Sequence, residues 1–197
     1  LDSLPYPARE LTPYQNYYSI LTHRRPVTTM ITSRGCPYSC IFCDRPHLGK
    51  KFRARSPENV VGEMEKCEEM GIKEILIYDD TFNLDKKRVL EICELKREKN
   101  LKIYWDARVR VDIFDREMAK AMREAGCERL HFGVEAGTEK ILKVLKKGIN
   151  LEQVKRAFRI AKEEGIGTLA YFMIGAPGED RGDIIATIEF ALSLDPD

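Results

Sequence analysis

The chain has 197 residues, 43% of them hydrophobic and 33% charged, with a formal net charge of +1. That length supports one domain with a real core, and the composition excludes global disorder. The near-neutral charge gives no global electrostatic case for nucleic acid, and no apolar run reaches membrane-spanning length. With no basic-then-apolar opening segment, the expectation is a cytoplasmic protein without a membrane partner.

Residues 1–26 carry several prolines and little periodicity, and read as a lead-in or linker ahead of a domain over 27–197. Residues 27–32 are rich in β-branched side chains and read as the first strand. After a cysteine-bearing loop, 57–70 place Val60, Val61, Met64 and Cys67 at helical spacing, with Gly71 as the stop. The apolar run at 74–78 is the second strand, and 85–99 the next helix, with Val89, Ile92 and Cys93 on one side. Residues 102–107 read as the third strand, 115–125 as a helix ended by Gly126, and 129–133 as the fourth strand. A short helix over 138–146 closes at Gly148; another over 151–164 has Asn150 as N-cap and Gln153 three residues on. The fifth strand spans 168–174 and the last helix 180–194. The chain ends on Leu194-Asp195-Pro196-Asp197, where another strand would follow, so a longer parent protein is expected. Five βα units mean parallel strands joined by crossover helices. Their spacing fits a partial (β/α) barrel and a doubly wound sheet equally.

Of the six cysteines, Cys36, Cys40 and Cys43 crowd into eight residues directly after the first strand, while Cys67, Cys93 and Cys127 are scattered through the later elements. That distribution reads as a metal site plus core thiols in a reducing compartment, not as a disulfide framework. Three soft sulfur ligands at this spacing suit an iron–sulfur cluster or zinc, and leave one iron of a [4Fe–4S] cube without a protein ligand. An open metal position is where chemistry happens. Gly35 and Pro37 bracket the first cysteine as a tight loop requires, and Phe42 is placed to cover a flat ligand edge. His47, four residues after Cys43, leaves Cys3His zinc open, as does an inert ferredoxin-like cluster.

The segment Gly35-Cys36-Pro37-Tyr38-Ser39-Cys40-Ile41-Phe42-Cys43 closely resembles the CxxxCxΦC loop of the radical S-adenosylmethionine (SAM) superfamily, where Φ is aromatic, and the resemblance extends over nearly all of residues 27–197. It implies a partial (β/α) barrel of the TIM type, with Cys36, Cys40 and Cys43 as ligands of a [4Fe–4S] cluster. Tyr78-Asp79-Asp80-Thr81-Phe82 is similar to a variant of the family segment at the end of the second strand, which implies that Asp79 and Asp80 contact the amino group of SAM. Gly133-Val134-Glu135-Ala136-Gly137 is similar to the G-x-E-S-G segment with alanine for serine, which assigns Glu135 to the ribose or methionine part of SAM. The stretch Tyr171–Glu179 looks like the adenine side, with Met173 and Ile174 as the packing candidates and a Gly-Ala-Pro-Gly turn for close approach. Arg110, with Arg108 competing, is placed to pair with the SAM carboxylate, though Asp112 and Glu135 are alternative partners.

The resemblance therefore implies reductive cleavage of SAM to a 5′-deoxyadenosyl radical that modifies an unknown substrate, with a flavodoxin- or ferredoxin-like one-electron donor. Leu1–Arg9 looks like the linker that precedes the core in the cobalamin-binding branch. No Asp-x-His-x-x-Gly cobalamin signature occurs, so cobalamin is implied only for an upstream domain of a parent protein. A non-catalytic electron-transfer module and a methylthiotransferase core stand as alternatives.

Overall fold

Residues 1–44 and 49–197 are described by a computed structural model. In chain order the elements are β1 (Val27–Met30), β2 (Ser33–Arg34), β3 (Arg53–Ala54), α1 (Pro57–Glu69), β4 (Glu74–Ile77), α2 (Lys86–Glu98), β5 (Tyr104–Val109), α3 (Arg116–Glu124), β6 (Cys127–Glu135), α4 (Glu139–Val144), α5 (Leu151–Glu163), β7 (Gly167–Phe172) and α6 (Arg181–Leu194). Five strands form one all-parallel sheet in the order β1-β4-β5-β6-β7. Each long strand thus lies beside the next one in the chain. A doubly wound sheet reverses its order at a switch point; this sheet does not, so the winding is that of a partial barrel.

The helices begin where the sequence supplies a cap. Ser56 accepts from Asn59 N–H at 3.2 Å, ahead of Pro57 in the first turn, and Asp85 and Asp115 accept from Arg88 and Met118 N–H. Asn150 and Gln153 close a reciprocal capping box at the start of α5, as do Asp180 and Asp183 for α6. These caps lie in the βα loops. They stack helix N-termini around the same rim as the strand C-termini, where active sites of such folds sit.

Alternation along the strands sorts side chains between two faces. Trp105, Ala107 and Val109 of β5 and Leu130, Phe132 and Val134 of β6 are buried with the helices. Edge-to-face ring pairs, Phe82 with Trp105 and Phe114 with Phe132, bridge the layers at 5.4 and 5.5 Å. Asp106, Arg108, His131 and Tyr171 occupy the opposite, concave face.

Residues 1–26 carry two short 3-10 turns, Arg9–Leu11 and Tyr14–Asn16, and lie against β1 and α1. Arg9 is buried, donating to Thr28 Oγ1 at 2.9 Å and pairing with Glu63 of α1 at 2.5 Å. Further on, His23 and Arg24 N–H both donate to Glu74, and the Arg24 side chain pairs with Glu128 at 2.6 Å while stacking on Tyr104. Glu74, Tyr104 and Glu128 stand at the N-terminal ends of their strands, so this segment forms the floor of the open barrel.

Two departures from the expected elements matter for the site. The first strand stops at Met30, because Thr32 and Ser33 turn away into the hairpin of β2 with β3, paired Ser33↔Ala54 and Arg34↔Arg53. β6 is longer than its apolar run, since pairing with β5 extends it back to Cys127 and pairing with β7 extends it on to Glu135.

Candidate active site

The cysteine loop leaves the C-terminal end of β1 and is bracketed by β2 and β3. Its first residues are held from below by Asp79, which is fully buried just beyond β4. One carboxylate oxygen accepts from Thr32 N–H at 2.6 Å; the other accepts from the Thr32 and Ser33 hydroxyls at 2.5 and 2.6 Å. Asp80 accepts from Gly35 N–H at 2.9 Å, and Thr81 Oγ1 lies 3.5 Å from Cys36 Sγ. Gly35 has φ +89° with no room for a side chain against the Lys51 carbonyl, which is why glycine stands there. The far end of the loop is tied down by Ile41 N–H, which donates to the Leu145 carbonyl at 3.0 Å. Both acids expected to contact a ligand are therefore engaged with the loop, Asp79 with both oxygens and Asp80 with one.

The three sulfurs meet different environments: Cys36 is partly exposed, Cys40 buried and Cys43 exposed. Among the described residues no group of three or more His, Cys, Asp or Glu gathers tightly enough for a single metal ion. Three soft thiol donors within one loop suit an iron–sulfur cluster, in which each sulfur takes a different iron. His47, the fourth ligand of the zinc alternative, lies outside the described residues.

Across the rim, Glu135 ends β6 at φ +75°, a left-handed backbone that a glutamate adopts only at a cost. The register shift between Gly133 and Glu135 accompanies it. Its Oε1 accepts from Lys147 Nζ at 2.7 Å in a nearly buried ion pair. A side chain on Gly133 would fall about where that pair sits. Among the described residues Glu135 Oε2 has no partner, which leaves an acceptor for a ligand hydroxyl. Lys147 Nζ also stands 5.8 Å from the Phe42 ring centroid, within cation–π reach, and so links β6 to the cysteine loop. Lys147 escaped the sequence reading because Lys146-Lys147-Gly148 looks like the ordinary basic end of a helix.

Arg110 makes the local pair that was one of its alternatives. Its Nε and Nη2 donate to the two Asp112 oxygens at 2.9 and 3.1 Å, and Nη2 also donates to the Lys147 carbonyl. Its guanidinium lies 3.5 Å from the ring centroid of Tyr38, the middle of the three residues between Cys36 and Cys40. Burial pushes the Tyr38 hydroxyl up, and the Arg110 charge partly offsets that. On β7's side, Met173 is half-buried against the core, while Ile174 stands 62% exposed at the rim. Phe42 is likewise open. Cys67, Cys93 and Cys127 are core thiols, pushed up by burial to about 11, about 12 and well above the usual value.

A parallel partial barrel with a three-thiol loop pinned on its C-terminal rim defines an iron–sulfur enzyme of the barrel class. The family model of the Radical SAM superfamily matches residues 30–191, and the chain belongs to that superfamily, whose cofactors are a [4Fe–4S] cluster and SAM. It is 40% identical over 199 residues to an uncharacterized methyltransferase of Pyrococcus horikoshii, covering 100% of this chain and 43% of that protein. It is 30% identical over 206 residues to a cytidylyl-2-hydroxyethylphosphonate methyltransferase of Streptomyces wedmorensis, covering 97% of this chain and 39% of that one. Among solved structures, the radical SAM methyltransferase TsrM of Kitasatospora setae, with cobalamin and a [4Fe–4S] cluster bound, superposes with a TM-score of 0.80 at 25% identity, over 86% of this chain and 35% of that one. The chain thus spans less than half the length of these relatives. Enzyme relatives of this kind do not favour the electron-transfer reading. No helix among the described residues is long and apolar enough to cross a membrane.

Proposed function

We propose that the chain is the cluster- and SAM-binding core of a longer radical SAM methyltransferase in which cobalamin carries the methyl group. The observation that supports this most is the loop of Cys36, Cys40 and Cys43, fastened to a strand end by Asp79 and Asp80 and to the end of α4 by the Leu145 carbonyl. When bound, a [4Fe–4S] cluster held by these thiols supplies the low-potential electron that splits SAM. Asp79 is a positioning residue: its three short hydrogen bonds keep the first turn of the loop in place. Asp80 and Glu135 face SAM from opposite sides of the rim, with the free oxygen of Glu135 accepting from a ribose hydroxyl. Phe42, Met173 and Ile174 cover the flat part of the ligand and keep water from it. Arg110, spent on Asp112 and Tyr38, steadies the loop.

The methyl-transfer reading draws on the named methyltransferase relatives and on the cobalamin in the TsrM structure. These 197 residues carry no Asp-x-His-x-x-Gly sequence, so we assign cobalamin to segments outside them. A flavodoxin- or ferredoxin-like donor delivers the electron at the rim, in the cytoplasm, where unpaired core thiols such as Cys93 persist.

The test is anaerobic reconstitution with iron and sulfide, then electron paramagnetic resonance of the dithionite-reduced protein with and without SAM. The expected result is a cluster signal that changes on adding SAM, with 5′-deoxyadenosine formed above a Cys40→Ala control. A cluster signal indifferent to SAM overturns the reading.

A further inference from the structure

The concave face of the sheet carries a second cation beside Arg110, the one the sequence offered as its competitor for a carboxylate. Arg108, two residues before Arg110 on β5, is half-buried, and no carboxylate among the described residues pairs with it. Its guanidinium lies 4.1 Å from the ring centroid of Tyr78, whose side chain continues β4 at the same level. On its other side is the hydroxyl of Tyr171 on β7, where the Arg108 charge opposes the upward push of burial on the phenol.

That phenol is fixed by a chain of hydrogen bonds. His131 Nε2 lies 3.1 Å from Asp106 Oδ2, and His131 Nδ1 lies 2.9 Å from Tyr171 Oη. With Nε2–H donating to the Asp106 carboxylate, a neutral His131 has Nδ1 as its acceptor, and the Tyr171 hydroxyl donates to it. The Tyr171 oxygen then offers only lone pairs to its other neighbours, which suits the Arg108 guanidinium. Asp106 and His131 are both buried, so the chain is rigid. One face of the guanidinium is covered by the Tyr78 ring and the Tyr171 phenol lies close enough to feel its charge, while none of the fork's N–H donors is taken by a carboxylate among the described residues. Arg108 pairs in register with His131, whereas Glu135 lies four residues further along β6 at the rim. The guanidinium therefore faces the space beneath the cofactor rim.

We propose that Arg108, with Tyr78 and Tyr171, is the substrate's anion-binding subsite, and that the substrate carries a carboxylate or phosphoryl oxyanion on a planar or conjugated skeleton. A forked guanidinium matches such an oxyanion with two parallel hydrogen bonds. The two tyrosine rings, each 39% exposed, supply the flat apolar flank. This assignment rests on the radical SAM reading for the cofactor's place, and names the chemistry of what lies beside it.

The experiment titrates the anaerobically reconstituted chain with benzoate, phenyl phosphate and benzamide, following the bound fraction by ligand-observed NMR. Both anions are expected to bind, and benzamide, of the same shape without the charge, about tenfold or more weakly. Whichever anion binds tighter assigns the oxyanion class. Arg108→Gln is expected to lose about ten- to a hundredfold in anion affinity, with Arg108→Lys recovering part of it and Tyr78→Leu losing several-fold through the flank alone. The SAM-induced change in the cluster signal is expected to persist in Arg108→Gln. Anion binding unchanged in Arg108→Gln overturns the proposal, as does benzamide binding as well as benzoate. Loss of the SAM response in that variant would move Arg108 to the cofactor site and equally defeat it. A wild-type cluster that ignores SAM while the anions still need Arg108 would instead remove the radical SAM reading and leave the subsite standing.

Discussion

Cys67, Cys93 and Cys127 sit on α1, α2 and β6 among apolar side chains, whereas Cys36, Cys40 and Cys43 lie on irregular backbone at the strand ends. Burial is the main cause that pushes the first set up, to about 12 for Cys93, so those thiols stay protonated and inert. The second set faces the rim of stacked helix N-termini and can be supplied with iron. A metal takes thiolates, so the fold selects the ligands by surroundings and not by residue type. The six cysteines are thereby divided without a disulfide among the described ones.

The comparison is broken most directly by removing one thiol from each set. Cys40→Ala is expected to reduce reconstituted iron per chain to background, while Cys93→Ala keeps the full iron content and costs about 1 kcal/mol of stability for the lost sulfur. Iron analysis and urea unfolding read the two outcomes; equal iron loss in both variants would erase the distinction.

The next effect concerns what holds the loop. Asp79→Ala leaves the Thr32 N–H buried without a partner and removes one of the carboxylate charges that offset the burial of Arg88. A loss of about 3–5 kcal/mol is expected in urea unfolding of the apo chain. Asp80→Ala, which frees the single Gly35 N–H held by an exposed carboxylate, is expected to cost about 1 kcal/mol.

Core thiols also leave a signature in pH. The Cys93 pKa is raised from 9.0 to about 12 in the folded chain. Its stabilising contribution is complete below the unfolded thiol's pKa and is lost as pH rises, because the unfolded state then releases a proton that the folded state keeps. Between pH ~9 and ~11, wild type is expected to lose up to about 1.4 kcal/mol per pH unit more than Cys93→Ala. Parallel unfolding free energies for the two proteins across that window would contradict it. The smallest effect is at the open side of the rim. Ile174→Ala should change stability by less than about 0.5 kcal/mol, since the side chain is 62% exposed, yet weaken SAM binding several-fold by equilibrium dialysis.

Much of this architecture is legible before any coordinates. Asn150 and Gln153 announce the start of α5, Gly71 and Gly126 the ends of α1 and α3, and the crowding of Cys36, Cys40 and Cys43 marks the metal loop. The hairpin of β2 and β3 is not, because two-residue strands carry no period. Nor does a side chain's direction follow from its motif: Asp79 and Asp80 are adjacent, but one points under the loop and the other toward Gly35.

The linear chain by itself determined the order of strands and helices, their caps and which thiols lie together, because periodicity, capping and local spacing act over a few residues. Tertiary structure alone decided that the winding is a partial barrel, that Lys147 meets Glu135 twelve positions earlier, and that Arg108, with no paired acid among the described residues, stands beside tyrosines from β7 and the end of β4. Those are facts of register and of which groups remain unpaired once a chain has closed on itself. Partners far apart in sequence compete for the same charge there, and no local pattern records who wins.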